Sequence, residues 1–119
     1  MSVKAVLVID DDKRTRETLQ MLLNLEGFVA DCCENGPAAF ERVQEMRFDL
    51  ILIDYRMPEI DGIKVTKSLR GLCPDVFIIG MSIEDKGAEF VSAGADTFIN
   101  KARLVQDMLP LARQNLLRR

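Results

Sequence analysis

Polar side chains that could do chemistry together directly follow four apolar stretches of the chain: Asp10 and Asp11, then Asp54, Ser82 and Lys101. Clustered carboxylates repel one another unless a cation lies among them, and Mg²⁺ or Mn²⁺ takes oxygen ligands of this kind. A carboxylate is also a competent nucleophile towards phosphorus, while an ammonium and a hydroxyl can contact phosphoryl oxygens. If these residues meet, we expect a divalent-cation site that accepts a phosphoryl group on a carboxylate.

Each of these residues also has a purely structural interpretation. Asp54 could simply end a strand, Ser82 could be a turn hydroxyl, and Lys101 could be a solvated surface lysine. Asp12 is predicted mainly to cap the following helix. The chemical interpretation therefore depends on whether separate strands end at the same edge of a sheet.

The apolar runs and the segments between them predict an alternating α/β chain. Residues 50–53 are four consecutive branched aliphatics, which is typical of a strand buried on both faces. Strands that alternate with helices through short connections predict a three-layer α/β sandwich around a parallel sheet, whose strands end at one shared edge. The predicted strands are 5–9, 28–33, 50–53, 76–81 and 97–99. The first helix is predicted to end at Gly27, the second to begin at Asn35-Gly36-Pro37, and the third to end at Gly71 and Pro74. The fourth helix is predicted to span residues 84–93. The fifth is predicted to run from about residue 103 towards 119, with a kink at Pro110.

The composition is that of one ordinary globular domain, assigned to residues 1–119. A net charge of −3 without a large basic patch argues against direct nucleic-acid binding. The chain has no histidine, and its 3 cysteines lack metal-ligand spacing, so neither a zinc site nor a histidine triad is expected. No apolar run approaches the roughly 20 residues that span a bilayer, and no signal-peptide pattern is present, so we expect a cytoplasmic protein.

Several motifs resemble the response-regulator receiver domains of two-component signalling, over essentially the whole length of the chain. The resemblance rests on the acidic pair 10–11, Asp54 followed by Met57-Pro58 and Asp61-Gly62, Ser82, the segment Ala93-Gly94-Ala95-Asp96, and Lys101. It implies a flavodoxin-like, doubly wound, five-stranded parallel sheet in the order 2-1-3-4-5, with helices on both faces.

The resemblance also implies a role for each site residue. Asp54 would accept a phosphoryl group from a histidine kinase or a phosphotransfer protein. Mg²⁺ would be held by Asp11, Asp54 and the backbone carbonyl of Arg56, with Asp10 acting mainly through water, and Lys101 would contact the phosphate. The protein would not otherwise be an enzyme, because it would catalyse only its own phosphorylation and dephosphorylation.

A conformational switch follows from the same resemblance. Phosphate on Asp54 would draw the switch hydroxyl of Ser82 inward and vacate space into which the switch aromatic, Phe98, turns. The face formed by the fourth helix, fifth strand and fifth helix would then change shape, as a population shift. The resemblance allows dimerisation and a downstream target or effector domain, but it identifies neither the kinase nor that target, and it implies no membrane contact.

The chain departs from the family pattern in three ways. Ala102 stands where a proline is usual, so a cis Lys101–Ala102 bond would cost roughly 3 kcal/mol or more. The fourth helix is predicted to be about one turn short. Arg56 and Glu84 lie two residues beyond Asp54 and Ser82, and we hypothesise that they pair across the mouth of the site and restrict the water that hydrolyses the acyl phosphate.

Two other functions compete with the switch. One is a metal-dependent phosphohydrolase using Asp10 and Asp12 as an Asp-x-Asp motif, although Arg14 stands where such enzymes usually carry Thr or Val. The other is an inert interaction module that retains only the fold. The sequence leaves open whether the chain is a single-domain regulator or part of a longer protein.

Overall fold

The computed structural model describes residues 4–116, which form five strands, five α-helices and one short 3₁₀ helix. The strands are β1 (Ala5–Ile9), β2 (Val29–Cys33), β3 (Leu50–Asp54), β4 (Phe77–Ser82) and β5 (Thr97–Asn100). The helices are α1 (Lys13–Leu25), α2 (Gly36–Glu45), α3 (Gly62–Leu72), α4 (Gly87–Ala93) and α5 (Leu104–Leu116), and the 3₁₀ helix is Lys101–Arg103. All neighbouring strands are parallel, in the order β2-β1-β3-β4-β5. The predicted doubly wound 2-1-3-4-5 sheet is therefore confirmed.

Alternate side chains of the central strands feed two separate cores, one on each face of the sheet. In β3, Leu50 and Leu52 pack on one face, while Ile51 and Ile53 pack on the other, and all four are fully buried. The first core also contains residues of α1 and α5, and the second contains residues of α2, α3 and α4. Burial on both faces explains why this strand has no polar alternation.

Helices α2 and α3 each begin at a side chain that caps the N-terminal end of the helix. Asn35 Oδ1 accepts a hydrogen bond from Ala38 N–H at 2.8 Å, and Asp61 Oδ1 accepts one from Lys64 N–H at 3.0 Å. Gly62, the first residue of α3, lies so close to the end of β3 that a Cβ there would collide with the backbone carbonyl of Asp54. This close approach fixes the loop after the candidate site.

Helix α4 begins at Gly87, so the prediction that it starts at residue 84 is wrong. The hydroxyl of Ser82 accepts a hydrogen bond from Glu84 N–H at 2.9 Å, which turns the chain immediately after β4. Because this side-chain bond competes with helical pairing, the helix is delayed and has 7 residues. That the fourth helix is about one turn shorter than in the family stays a prediction.

Two features of the C-terminal part have local explanations, while the kink expected at Pro110 stays a prediction. Helix α5 continues through Pro110, and both Pro110 and Gln106, whose carbonyl loses its helical donor, are exposed to water. Residues 4–116 contain no cis peptide bond, so Lys101–Ala102 is trans, and Ala102 N–H donates to Asn100 Oδ1 at 2.9 Å. A proline at position 102 could not make that bond. The prediction that the last helix runs towards residue 119 extends beyond the described residues.

No helix within residues 4–116 combines the length and apolar character needed to cross a bilayer.

Candidate functional site: an acidic cluster at the carboxyl edge of the sheet

The carboxylates of Asp10, Asp11 and Asp54 meet where β1 and β3 end. These strands are adjacent and in register, with Ile9 opposite Ile53, so the residues that follow them emerge side by side. One oxygen from each carboxylate lies within 4.8 Å of the others. Asp10 and Asp54 are buried and Asp11 is exposed, so the cluster is shielded from solvent on one side and open to it on the other.

Lys101 reaches this cluster from the end of β5. Its Nζ lies 2.8 Å from Asp10 Oδ2 and 3.0 Å from Asp54 Oδ1. The flexible four-carbon stem of a lysine lets the ammonium reach over the end of β4, which lies between β3 and β5. One ammonium therefore faces three carboxylates, and the cluster keeps a net negative charge.

The electrostatics of the cluster follow from burial and like charge. Burial, together with the nearby charge of Asp10, raises the pKa of Asp54 to about 6, against the smaller opposing effect of Lys101. Burial acts to lower the pKa of Lys101, but the adjacent carboxylates of Asp10 and Asp54 outweigh burial, so the pKa of Lys101 is raised. An ionised Asp54 is thus held in an unfavourable environment, which a further cation would relieve.

The donor set fits a divalent cation. Asp10 Oδ2 is buried and, within the described residues, accepts no well-aligned hydrogen bond, although the Lys101 ammonium is close. A buried carboxylate oxygen without a full set of donors is unfavourable unless another positive group completes it. Three carboxylates with one open side are ligands suited to Mg²⁺ or Mn²⁺, which retain several waters.

Asp12 lies outside this cluster, as its predicted capping role requires. Its Oδ2 accepts hydrogen bonds from the Thr15 hydroxyl at 2.6 Å and from Thr15 N–H at 3.1 Å. The hydroxyl bond is the largest cause of a lowered pKa at Asp12. The carboxylate therefore caps α1.

The two predicted switch residues lie beside the cluster but are engaged elsewhere. Ser82 is buried, and its Oγ accepts the hydrogen bond from Glu84 N–H that turns the chain after β4. Phe98 is partly buried on β5, where its ring is tilted against Phe90 of α4 with 5.8 Å between centroids. The hydroxyl and the aromatic ring therefore each contact the segment around α4.

Arg56 and Glu84 form the predicted ion pair across the mouth of the site, through Arg56 Nε and Glu84 Oε1. Glu84 raises the pKa of Arg56, and Arg56 lowers that of Glu84, chiefly through their hydrogen bond. The Tyr55 ring lies beside this pair, with its centroid 5.6 Å from the Arg56 guanidinium carbon and 5.2 Å from Lys86 Nζ. The turn after β4 is thereby connected to the turn after β3.

Arg16 was missed by sequence reasoning, although it supports the cluster. Its Nη1 donates to the backbone carbonyl of Asp10 at 2.9 Å, which fixes the end of β1. In the sequence it is one of several basic residues in α1, and nothing in its spacing separates it from those that face solvent.

The fold and the site place this protein among the α/β proteins that have an open parallel sheet and an acidic, cation-attracting cluster at the carboxyl edge of that sheet. Comparison with known proteins then identifies the family: residues 6–112 match the family described as the response regulator receiver domain, and the chain belongs to it. It is therefore a receiver domain of two-component signalling, a class of signalling switches rather than of classical enzymes.

Individual relatives agree with this assignment. Response regulator MprA of Mycobacterium tuberculosis (strain ATCC 25618 / H37Rv) is 34% identical over 122 residues, covering 100% of this chain and 52% of the relative. The Mycobacterium ulcerans protein of the same name is also 34% identical. The chain thus spans about half the length of the curated relatives it matches.

Solved structures show the same fold. Response regulator protein TrrA from Thermotoga maritima, in complex with Mg(2+)-BeF, has 29% identity and a TM-score of 0.88, covering 96% of this chain and 100% of that one. Vibrio cholerae chemotaxis protein CheY4 has 24% identity and a TM-score of 0.89, covering 97% of this chain and 100% of that one.

Proposed function

We propose that Asp54 is the phosphoacceptor of this receiver domain. A carboxylate oxygen of Asp54 attacks the phosphorus of a phosphohistidine on a histidine kinase or phosphotransfer protein. The new O–P bond forms as the N–P bond breaks, and the released imidazole nitrogen takes up a proton. The observation that carries this proposal is the convergence of Asp10, Asp11 and Asp54 within 4.8 Å, beside the ammonium of Lys101.

The residues around Asp54 have separate tasks in this transfer. Asp10, Asp11 and Asp54, with the backbone carbonyl of Arg56, would hold the divalent cation. Bound Mg²⁺ supplies electrostatic stabilisation of the charge on the transferring phosphoryl group. Lys101, already 3.0 Å from Asp54 Oδ1, is positioned to contact a phosphoryl oxygen on that atom's side.

Signalling would follow from a change of partner at Ser82. Its hydroxyl proton can be donated to a phosphoryl oxygen on Asp54, which pulls Ser82 away from its bond with Glu84. Phe98 would then turn towards the space that Ser82 leaves, changing the face formed by α4, β5 and α5. A downstream target, an effector domain or a second copy would recognise this altered face.

Intact mass spectrometry after incubation with acetyl phosphate tests the proposal directly. We expect a single phosphate adduct that requires Mg²⁺ and is absent in Asp54→Asn. Asp12→Asn is the matched control, because asparagine also caps helices well and the same change is made at the same edge; this variant should retain the adduct.

A phosphate-release assay with a phosphomonoester separates the phosphohydrolase alternative. Steady release of phosphate that survives Asp54→Asn but disappears in Asp10→Asn would support a hydrolase and overturn the phosphoacceptor role. Absence of any adduct on the wild-type chain, in the presence of Mg²⁺, would favour an inert interaction module.

A further inference from the structure

Arg70, in the last turn of α3, ties the C-terminal end of α4 to its surroundings. Its Nε donates to the carbonyl of Gly94 at 2.9 Å, and its Nη2 donates to Asp96 Oδ2 at 2.8 Å. Its Nη1 donates to the carbonyl of Val76 at 2.7 Å and to that of Pro74 at 3.1 Å. The planar guanidinium thus fixes the end of α4 and the start of β4 in one directional network.

This end of α4 is fixed by backbone geometry as well. Gly94 has φ +119°, which ends the helix in the left-handed region, and the Cβ of Arg70 occupies the space that a side chain at position 94 would need. Asp96 Oδ2 also accepts a hydrogen bond from Ile78 N–H at 2.8 Å. The C-terminal end of α4 cannot shift without breaking several of these bonds.

The N-terminal end of α4 is held much more weakly. Lys86, at the N-cap position, provides no side-chain capping bond. The turn before it is held by the exposed Arg56–Glu84 pair and by the bond from Glu84 N–H to Ser82 Oγ. Asn100 Nδ2 also donates to the carbonyl of Ile83, at the long distance of 3.5 Å, and Lys86 Nζ lies over the Tyr55 ring. Because exposed ion pairs contribute little and the Asn100 bond is long, the buried Ser82 hydroxyl provides the principal directional restraint on this end.

Between these two ends, Phe90 packs the middle of α4 against the sheet. Its fully buried ring lies against the bare backbone of Gly80, 6.4 Å from the centroid of Tyr55 and 5.8 Å from that of Phe98. These apolar contacts are non-directional, so a small rotation of the ring retains most of them. The hydrogen bonds of Arg70, in contrast, depend on direction.

We propose that α4 is a lever, with a fixed pivot at Arg70 and Gly94 and a mobile end at residues 83–89. The proposal rests on the proposed function, because a phosphoryl group on Asp54 is what would draw Ser82 from Glu84. Seven helical residues span about 10 Å, so a rotation of about 10° at the pivot moves the other end by about 2 Å. Activation would reshape the N-terminal end of α4 and leave its C-terminal end in place.

Amide hydrogen exchange of the full chain, with and without Mg²⁺ and beryllium fluoride as a phosphoryl mimic, tests the lever. The amides of Gly94, Ala95 and Asp96 donate to Val91, Phe90 and Ile78 carbonyls respectively, so each reports on the pivot. We expect exchange at Glu84 to accelerate about tenfold when the mimic binds, because its acceptor leaves, while the three pivot amides change by less than about twofold.

Substitution of the pivot should remove this contrast. Arg70→Lys keeps the positive charge but loses the planar guanidinium that donates several hydrogen bonds at once. In this variant we expect exchange of the pivot amides also to accelerate about tenfold when the mimic is added. Arg113→Lys is the matched control, because it alters a two-bond pair with Glu26 away from α4. Asp96→Asn serves as a second test if Arg70→Lys does not fold.

The outcomes distinguish the lever from the proposed function. If acetyl phosphate gives no adduct on Asp54, both are overturned. If the adduct forms but the pivot amides of the wild-type chain change as much as Glu84, α4 moves as a unit and only the lever is overturned. The lever alone is also overturned if Arg70→Lys behaves like Arg113→Lys.

Discussion

Carboxylates at the two ends of the sheet have opposite environments. At the N-terminal edge, Asp49 Oδ2 accepts a hydrogen bond from Ala5 N–H at 2.8 Å, and Asp96 accepts bonds from Ile78 N–H and Arg70. At the carboxyl edge, Asp54 faces other carboxylates and shares one ammonium with Asp10. The first arrangement provides each carboxylate with local hydrogen-bond donors, whereas the second leaves an excess of negative charge.

The difference shows that residue type alone does not distinguish a structural aspartate from a reactive one. A carboxylate surrounded by backbone N–H groups and a guanidinium stabilises the fold and has little capacity for further ligands. A carboxylate crowded by like charges destabilises the fold until a cation binds, and it retains oxygens for chemistry. Four predictions test this contrast, in order of decreasing effect on stability.

Removing a carboxylate at the N-terminal edge should destabilise the protein. Asp96→Ala leaves Ile78 N–H without its side-chain acceptor and Arg70 without its counter-ion. We expect a loss of about 2–3 kcal/mol in the free energy of unfolding, below the range for fully buried pairs because Asp96 is partly exposed. Urea denaturation measures it, with the exposed Asp75→Ala as a control expected within about 0.5 kcal/mol of wild type. Equal stabilities of the two variants would contradict the contrast.

Removing a charge at the carboxyl edge should instead stabilise the metal-free protein. The pKa of Asp54 is raised from 3.8 to about 6 in the folded state, so folding favours the protonated form. The stability from protonation is fully present below about pH 4 and is lost as the pH rises through 6. Asp54→Asn should therefore raise the free energy of unfolding by about 2 kcal/mol at pH 7.5, and by about half as much at pH 5. Urea denaturation in EDTA at both pH values tests this sign, and a less stable variant at pH 7.5 would refute it.

Mg²⁺ should act on one end of the sheet only. At pH 7.5, Mg²⁺ at about five times its dissociation constant should stabilise the wild-type chain by about 1 kcal/mol, relative to NaCl of equal ionic strength. The stabilisation should decline at pH 5, where Asp54 is largely protonated, and in Asp10→Asn. Calorimetry measures these shifts. Equal stabilisation in wild type and Asp10→Asn would place the cation elsewhere.

The exposed ion pair at the mouth should influence chemistry more than stability. Arg56→Ala and Glu84→Ala should each change the free energy of unfolding by less than about 0.5 kcal/mol, because the pair is exposed. If the pair restricts access of water, each variant should shorten the lifetime of the phosphoryl adduct, by about threefold as an order of magnitude. The decay of the adduct by intact mass tests this, with Arg103→Ala as a control at another exposed pair. Unchanged lifetimes in both variants would remove the hypothesis.

Much of the fold could be predicted from sequence because its signals are local. The apolar runs at β1, β3 and β4 indicate buried strands, and Asn35 and Asp61 indicate where helices begin. The start of α4 could not be predicted in this way. The bond between Ser82 and Glu84 competes with the helix, and residue types alone favour neither arrangement strongly.

The sequence by itself determined the alternation of strands and helices, and therefore which aspartates follow which strands. Only the tertiary structure decided the environments of the aspartates that contact distant segments: Asp96 meets Arg70, and Asp54 meets Asp10 and Lys101. The physical reason is the distance along the sequence over which each interaction acts. Strand periodicity and helix capping act over a few residues, whereas the charges and donors around a carboxylate come from segments brought together only when the sheet assembles.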